Sequence, residues 1–296
     1  MKVENITIIG SGPAGISNAI QLKRYGITPV LLEKNGIGGL LRNANLVENY
    51  PGFPGGISGV ELVNLFKRQL KEIKIKVHFE NATNIDLEKE LFRIETTKEV
   101  FYSRILVIAS GTKVREFTDC PLPDEVKDKI FYEIHPIIKV RDSKIVIVGA
   151  GDAAFDYALS LGKNNEVVIL NRGNTLKCLP LLWERAIKTP TIAYMDRTSI
   201  RKVINDSENL ILLECKNSKG ILNLHTNYIV FATGREPQLD FLSKRLKENI
   251  TKMEGEGLLY LIGDVKNNIY RQTAIAVGDG IMAAMKIHNE LKQKKI

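Results

Sequence analysis

The amino-acid sequence predicts an α/β fold of two Rossmann-like, doubly wound domains, and three observations carry that expectation. Near the N-terminus, from Ile6 to Glu33, an apolar strand pattern runs into a glycine turn and then into a helical pattern. The same succession returns from Ser143 to Ala158. Two further apolar runs, Ile105 to Thr112 and Tyr228 to Gly234, end in similar glycine turns. Buried strands that feed helices through glycine are the units of a parallel sheet.

In the first unit, Ile6, Ile8 and Ile9 mark a buried strand, and Gly10, Gly12 and Gly15 follow on the spacing G-x-G-x-x-G. The first glycine permits the tight turn, the second lets a pyrophosphate approach the backbone, and the third lets helix pack on strand. Pro13 suits the first turn of the helix. Ile16, Ala19, Ile20 and Leu22 continue one apolar face as far as Tyr25 and Gly26,. A second strand, Pro29 to Leu32, ends at Glu33. A carboxylate at that tip is placed to accept hydrogen bonds from an adenosine ribose. The glycine spacing alone is a weak signal; strand, helix and acid together make it a dinucleotide site.

A chain of 296 residues is expected to form two domains, each with its own core,. A hydrophobic fraction of 44% and a charged fraction of 26% are those of a soluble globular protein,. No apolar run reaches the length of a membrane span and the N-terminus shows no signal-peptide pattern, so a cytoplasmic protein is expected. The net charge of +8 is spread along the chain, apart from Lys292, Lys294 and Lys295 at a helix end. That describes a field suited to an acidic partner and not a nucleic-acid groove. Cys120, Cys178 and Cys215 are too widely spaced for a disulfide framework or a C-x-x-C pair,. His78, His135, His225 and His288 lack ligand spacing, and no metal is expected,.

Residues 36–54 are dense in turn residues yet interleave Leu46, Val47, Tyr50 and Phe53, the pattern of an ordered functional loop,. Gly59 to Lys71 reads as a helix, Lys76 to Val100 as a small antiparallel meander, and Val114 to Pro123 as a stiffened linker,. In the second glycine unit, Ile145 to Val148 form the strand. Gly149, Gly151 and Ala154 give the G-x-G-x-x-A variant, with Asp152 and Ala153 inside it,. The following strand, Val167 to Leu170, ends in Asn171 and Arg172. There the acid is missing, and an arginine is what a 2′-phosphate prefers. Lys177 to Lys188 reads as a loop and helix whose Trp183 serves packing, Thr198 to Leu224 as a second meander, and Pro237 as a second linker. A strand from Leu258 ending in Gly263 and Asp264, and a helix from Ala274 to Leu291, complete the chain.

With these residues placed, the whole chain resembles the thioredoxin reductase family of two-domain flavoproteins. GSGPAG at 10–15 with Glu33 is similar to its FAD fingerprint, GGLL at 38–41 to its GGQL, and VENYPGFP at 47–54 to its ENWPG segment. ATG at 232–234 is a shared turn, and GD at 263–264 followed by RQTAIAVGDGIMAA at 271–284 resembles its C-terminal flavin motif. The resemblance implies an FAD domain of residues 1–114 and 236–296, with an NAD(P) domain of residues 115–235 inserted into it. It implies FAD contacts at Gly10, Gly12, Pro13, Ala14, Gly15, Glu33, Gly39, Leu40, Asn49, Gly111, Asp264, Arg271, Gln272, Thr273 and Ala274. NAD(P) contacts are implied at Gly149, Gly151, Asp152, Ala153, Arg172, Lys177 and Gly234. A homodimer, with one domain able to swing against the other at linkers near 114–118 and 234–237, is also implied.

Three departures qualify the resemblance. Leu40 stands where the family usually has glutamine. The family's NADPH cluster, H-R-R-x-x-x-R, reads here from Asn171 to Lys177, keeping Arg172 and putting lysine at the last basic position. NADPH is still favoured, with NADH as the alternative. The family's C-x-x-C before the second glycine turn is replaced by the stretch Phe131 to Pro136, where Glu133 and His135 are weak proton-donor candidates or members of a surface turn. The expected activity is an FAD-dependent NAD(P)H oxidoreductase without the redox dithiol. Alternatives are a ferredoxin or flavodoxin NADP reductase, a disulfide reductase fed by ferredoxin or using a lone thiol, and a non-catalytic flavin sensor.

Overall fold

The computed structural model describes residues 3–206 and 210–293; Lys294 and Lys295 of the basic C-terminal run lie outside them. The chain opens with β1 (Val3–Ile9), α1 (Pro13–Arg24), β2 (Val30–Glu33), α2 (Gly59–Glu72), β3 (Val77–Phe79), β4 (Ala82–Glu88), β5 (Leu91–Thr96), β6 (Val100–Ile108) and β7 (Thr112–Val114). Then follow β8 (Ile130–Phe131), β9 (Lys144–Val148), α3 (Asp152–Leu161), β10 (Glu166–Leu170), α4 (Pro180–Ile187), β11 (Ile192–Met195), β12 (Ser199–Asn205), β13 (Ile211–Asn217), β14 (Gly220–Thr226) and β15 (Tyr228–Phe231). The last segment holds β16 (Arg235–Pro237), α5 (Lys244–Glu248), α6 (Ile250–Gly255), β17 (Leu259–Leu261) and α7 (Thr273–Gln293). Two compact units result, one of Met1–Arg42, Val47–Lys113 and Glu236–Ile296, the other of Asn43–Leu46 and Val114–Arg235.

In the first unit the strand order is β3-β2-β1-β6-β5-β4, with β17 also on β6. β1, β2, β3, β6 and β17 run parallel, and β4 to β6 are antiparallel. This corrects one expectation. The stretch Lys76 to Val100 is not a single meander, because β3 lies parallel beside β2, with Leu31 opposite Val77 and Glu33 opposite Phe79. After α2 the chain returns to the sheet edge as a crossover. Three residues of alternation carry no information on strand direction, which the crossover alone sets. α2 is closed at its start by a capping box in which Ser58 and Glu61 bond each other's backbone and side chain,. The core gathers Ile85, Phe92 and Ile94 with Leu242, Met253 and Leu259, so residues distant in sequence share one apolar cluster.

In the second unit the sheet order is β11-β10-β9-β15-β8, all parallel. Side-chain alternation in β9 divides the core. Ile145 and Ile147 pack with Phe155 and Ala158 of α3, whereas Val146 packs with Val203, Leu213 and Cys215 of the antiparallel β12–β14 meander,. Trp183 fills the helical side, edge-on to Tyr194 at 5.1 Å and to Phe155 at 5.9 Å. The two stretches expected as linkers begin in paired structure, since β7 and β16 form a two-stranded ribbon. Adjacent extended segments satisfy one another's backbone groups.

Candidate dinucleotide sites

In the first unit, Gly10 has φ +102°, and a Cβ there would lie 2.5 Å from the Ala109 carbonyl oxygen at the end of β6. Only glycine turns the chain so tightly against that neighbouring strand. Ser11 donates both its backbone N–H and its hydroxyl to Glu33 Oε2, at 2.8 and 2.9 Å. Asn35 and Gly36 donate their backbone N–H groups to Oε1, at 2.9 and 3.3 Å. Glu33 is therefore first a brace of the glycine turn. A carboxylate accepts about four hydrogen bonds, so these four donors fill its capacity and a ribose hydroxyl would have to share or displace one of them,.

The loop after β2 closes over this turn. Gly38 donates to the Ser11 carbonyl at 2.8 Å, and a Cβ on Gly39 would lie 3.4 Å from the Gly12 Cα. Beside Gly12 itself a Cβ would meet nothing within 4 Å, and no side chain caps α1. The start of α1 is thus open beside Gly12 and has no side-chain cap, the arrangement that can receive a pyrophosphate,. Ala14 reaches across to Gly263, whose added Cβ would stand 2.8 Å from the Ala14 Cβ. Two predicted segments meet here. Leu40 lies half-buried in a 3-10 turn, Gly39–Asn43, and Gly111 turns the chain after β6 with φ +65°.

Asp264 sits half-buried in a second 3-10 turn, Gly263–Val265. Asp279 closes that turn, accepting from Gly263 N at 3.0 Å and Asn267 Nδ2 at 2.6 Å. Arg271 and Gln272 lead into α7, whose first residues are Thr273 and Ala274. Asn49 Nδ2 donates to Gln272 Oε1 at 2.9 Å, joining two more of the predicted positions. Sequence reading missed the residues that hold α1 to α7. A Cβ on Gly280 would lie 2.2 Å from the Ala14 carbonyl oxygen. Ser17 donates to the Val277 carbonyl at 3.0 Å and Asn18 to the Gly280 carbonyl at 2.9 Å. Small residues on both helices were the available signal.

The second unit repeats the turn. Gly149 has φ +148°, and a Cβ there would lie 2.6 Å from the Ala232 carbonyl oxygen. Gly151 has open space beside it and no side chain caps α3. Ala153 is exposed on the first turn, and Asp152 accepts from Leu179 N at 2.8 Å. Lys177 donates its backbone N–H to the Ala150 carbonyl at 3.0 Å, so the lysine stands exposed beside the glycine turn. Asn171 is buried and shapes its own loop, donating to Thr175 O and Tyr194 Oη and accepting from Gly173 N. Arg172 projects into solvent from that loop. Arg197, a position not anticipated, donates its backbone N–H to the Gly173 carbonyl at 2.8 Å. Gly234 is exposed with φ +116° and accepts from Arg115 N at 3.0 Å.

Where the family carries its dithiol, Glu133 Oε2 accepts from Asn43 Nδ2 at 3.3 Å, and Oε1 lies 3.4 Å from Arg235 Nη2. The His135 backbone N–H, not its ring, donates to Asn43 Oδ1 at 2.8 Å. The two proton-donor candidates thus share one buried asparagine. Cys120 and Cys215 are buried in the core between sheet and meander. Burial pushes all three thiols up, Cys215 to about 11, so none rests as a thiolate at neutral pH,. On α3, burial raises Asp156 to about 6, although it accepts from Asn45 N at 2.9 Å. Among the described residues no group of three or more His, Cys, Asp or Glu side chains could hold a metal ion. No described helix is long and apolar enough to cross a membrane.

Two helix starts without side-chain caps, each behind a glycine turn at the end of a parallel strand, are two candidate dinucleotide sites. The family Pyridine nucleotide-disulphide oxidoreductase matches residues 4–280, and the chain belongs to it. It is similar to thioredoxin reductase of Pneumocystis carinii, 28% identical over 98% of this chain and 96% of that one. It is also similar to thioredoxin reductase of Chlamydia trachomatis, 29% identical over 96% and 97%. The crystal structure of Lactococcus lactis thioredoxin reductase, in its FR conformation, superposes with a TM-score of 0.86 at 25% identity, covering 98% and 99% of the two chains. The protein is an oxidoreductase of the thioredoxin reductase type, a family that binds FAD and NADPH.

Proposed function

We propose that this enzyme carries electrons from NADPH, through FAD, to an acceptor that is not reached through a protein dithiol. In this reading the first unit is the FAD domain, and the turn from Gly10 to Gly15 with the N-terminus of α1 holds the pyrophosphate. Glu33 would accept from the ribose in place of one of its present donors, Asp264 would hold the ribityl chain, and the start of α7 would take the flavin ring. The second unit holds the nicotinamide nucleotide on Gly149, Gly151 and α3, with Arg172 and Lys177 turned to its 2′-phosphate. When bound, the two cofactors supply hydride transfer and electron storage. The chain's own contribution is alignment and charge: helix N-termini favour the negative charge of phosphates and of a reduced flavin.

The observation that carries the reading is chemical. The stretch 131–136 has no sulfur, and the chain's thiols are raised by burial. A triple variant, Cys120→Ser, Cys178→Ser and Cys215→Ser, is expected to keep NADPH-driven flavin reduction and turnover with the physiological acceptor. Loss of acceptor turnover alone, with flavin reduction intact, would establish a thiol relay and favour a disulfide reductase using a lone thiol or fed by ferredoxin. Failure of NADPH or NADH to bleach the flavin without oxygen would favour a flavin sensor.

A second reading, ferredoxin or flavodoxin NADP reductase, draws support from the net charge of +8, since opposite charge speeds encounter with an acidic carrier,. Anaerobic reoxidation of the flavin by a panel of acceptors separates it from the first. A cytoplasmic homodimer is part of the same proposal; sedimentation of the holoenzyme tests the dimer.

A further inference from the structure

Arg172 does not stand alone at the end of β10. Its Nη1 lies 3.7 Å from Asp119 Oδ2, with the two side chains 80% and 50% exposed. The other acids near this edge have partners: Asp196 pairs with Arg197 at 3.7 Å, and Asp152 accepts from Leu179 N. Asp119 is held from both sides. Phe117 stacks on Phe231 with ring centroids 4.2 Å apart and donates its backbone N–H to Tyr132 Oη at 3.0 Å. Cys120, the next residue, is buried in the core between sheet and meander. Phe117 and Cys120 thus anchor the chain two residues before and one residue after Asp119, whose half-exposed carboxylate lies beside Arg172.

The loop from Asn171 to Lys177 has glycine at 173, leaving Arg172 and Lys177 as its two cations. A carboxylate 3.7 Å from one of two cations offsets part of the charge that a phosphate would meet, the offset being moderated by solvent around both side chains,. A 2′-phosphate must displace Asp119 or bind beside it, and a nucleotide without that phosphate meets neither obstacle. We propose that Asp119 is a selectivity residue of the adenosine site, competing with a 2′-phosphate for Arg172 and narrowing the preference for NADPH over NADH. The proposal rests on the reading of Arg172 as a 2′-phosphate contact, and its test separates the two.

The measurement is calorimetric binding of adenosine 2′,5′-bisphosphate and of 5′-AMP to the full chain. Asp119→Asn is expected to bind the bisphosphate about two- to fivefold more tightly, with 5′-AMP changed by less than about 1.5-fold. Asp119→Glu, which keeps the charge, should retain the parent ratio. The gain should shrink between about 50 and about 500 mM salt, as an exposed charge effect must. If Arg172→Ala weakens the bisphosphate while Asp119→Asn changes nothing, the inference is overturned and the nucleotide assignment stands. Equal tightening of both ligands would also overturn it, since that is a general field effect. If Arg172→Ala leaves the bisphosphate unaffected, the assignment and the inference fail together.

Discussion

The two glycine turns are built on one plan and braced in different ways. Gly10 and Gly149 approach the neighbouring strand almost equally, as an added Cβ would sit 2.5 Å from Ala109 O and 2.6 Å from Ala232 O. The third positions part company. A Cβ on Gly15 would lie 2.0 Å from the Gly10 carbonyl oxygen, whereas the second unit accommodates Ala154, fully buried, at the same place. At the tip of the second strand, Glu33 reaches back to Ser11 and the next loop, while Asn171 spends its amide on its own loop. Five residues after each helix cap, Ser17 bonds to α7 and Asp156 to Asn45. The glycine spacing sets the turn, and what surrounds the turn decides how tightly it is clamped.

The largest expected difference between the units follows from that clamp. Gly15→Ala should destabilise the protein by about 3 kcal/mol or more in urea melts, since a backbone carbonyl cannot give way. The converse change, Ala154→Gly, should cost about 0.5–1 kcal/mol from helix entropy. Similar losses from both would show that the helices pack alike.

Gly12→Val tests the open side of the turn. It places a branched side chain where the pyrophosphate is proposed to sit, at a position whose Cβ meets nothing within 4 Å, so folded but colourless protein is expected. Absorbance of the purified variant settles the matter, and full flavin occupancy would exclude this site. Gly151→Val should leave the flavin in place and remove the nicotinamide nucleotide instead.

A smaller effect is expected from the cations. Replacing Arg172 and Lys177 by alanine should weaken NADPH by about 1.5–3 kcal/mol per lost charged hydrogen bond and leave NADH nearly unchanged. Equal losses for the two nucleotides would assign these residues another role.

The finest distinction concerns Ser17 and Asp156. With its native pKa raised to about 6, Asp156 takes up a proton in the folded state before it does so unfolded. Its contribution to stability is therefore unfavourable above pH 6 and is relieved as pH falls from about 6 to about 4. Asp156→Asn should be more stable than the parent by about 1–3 kcal/mol at pH 7.5, with the gap closing towards pH 4. A constant difference across that range would show that the carboxylate does not titrate there.

Much of this was legible in the residues alone. Glycine spacing, apolar strands and a terminal acid report local geometry, because φ above zero and a missing Cβ are properties of single residues. Hence both turns, the second meander and the strand-tip position of Glu33 could be placed by number. The sequence also determined that the stretch 131–136 has no thiol and that the second strand tip has no acid. Tertiary structure alone decided what those residues touch. That β3 joins the parallel layer, that Gly280 and Asp279 secure α7 and the turn at Gly263, that Arg197 and Asp119 border the loop from Asn171 to Lys177, and that Cys120 and Cys215 share a core all depend on contacts between segments far apart in the chain. Such contacts leave no periodicity in sequence: they arise from how strands stack and helices cross, and the packing of the whole unit fixes them.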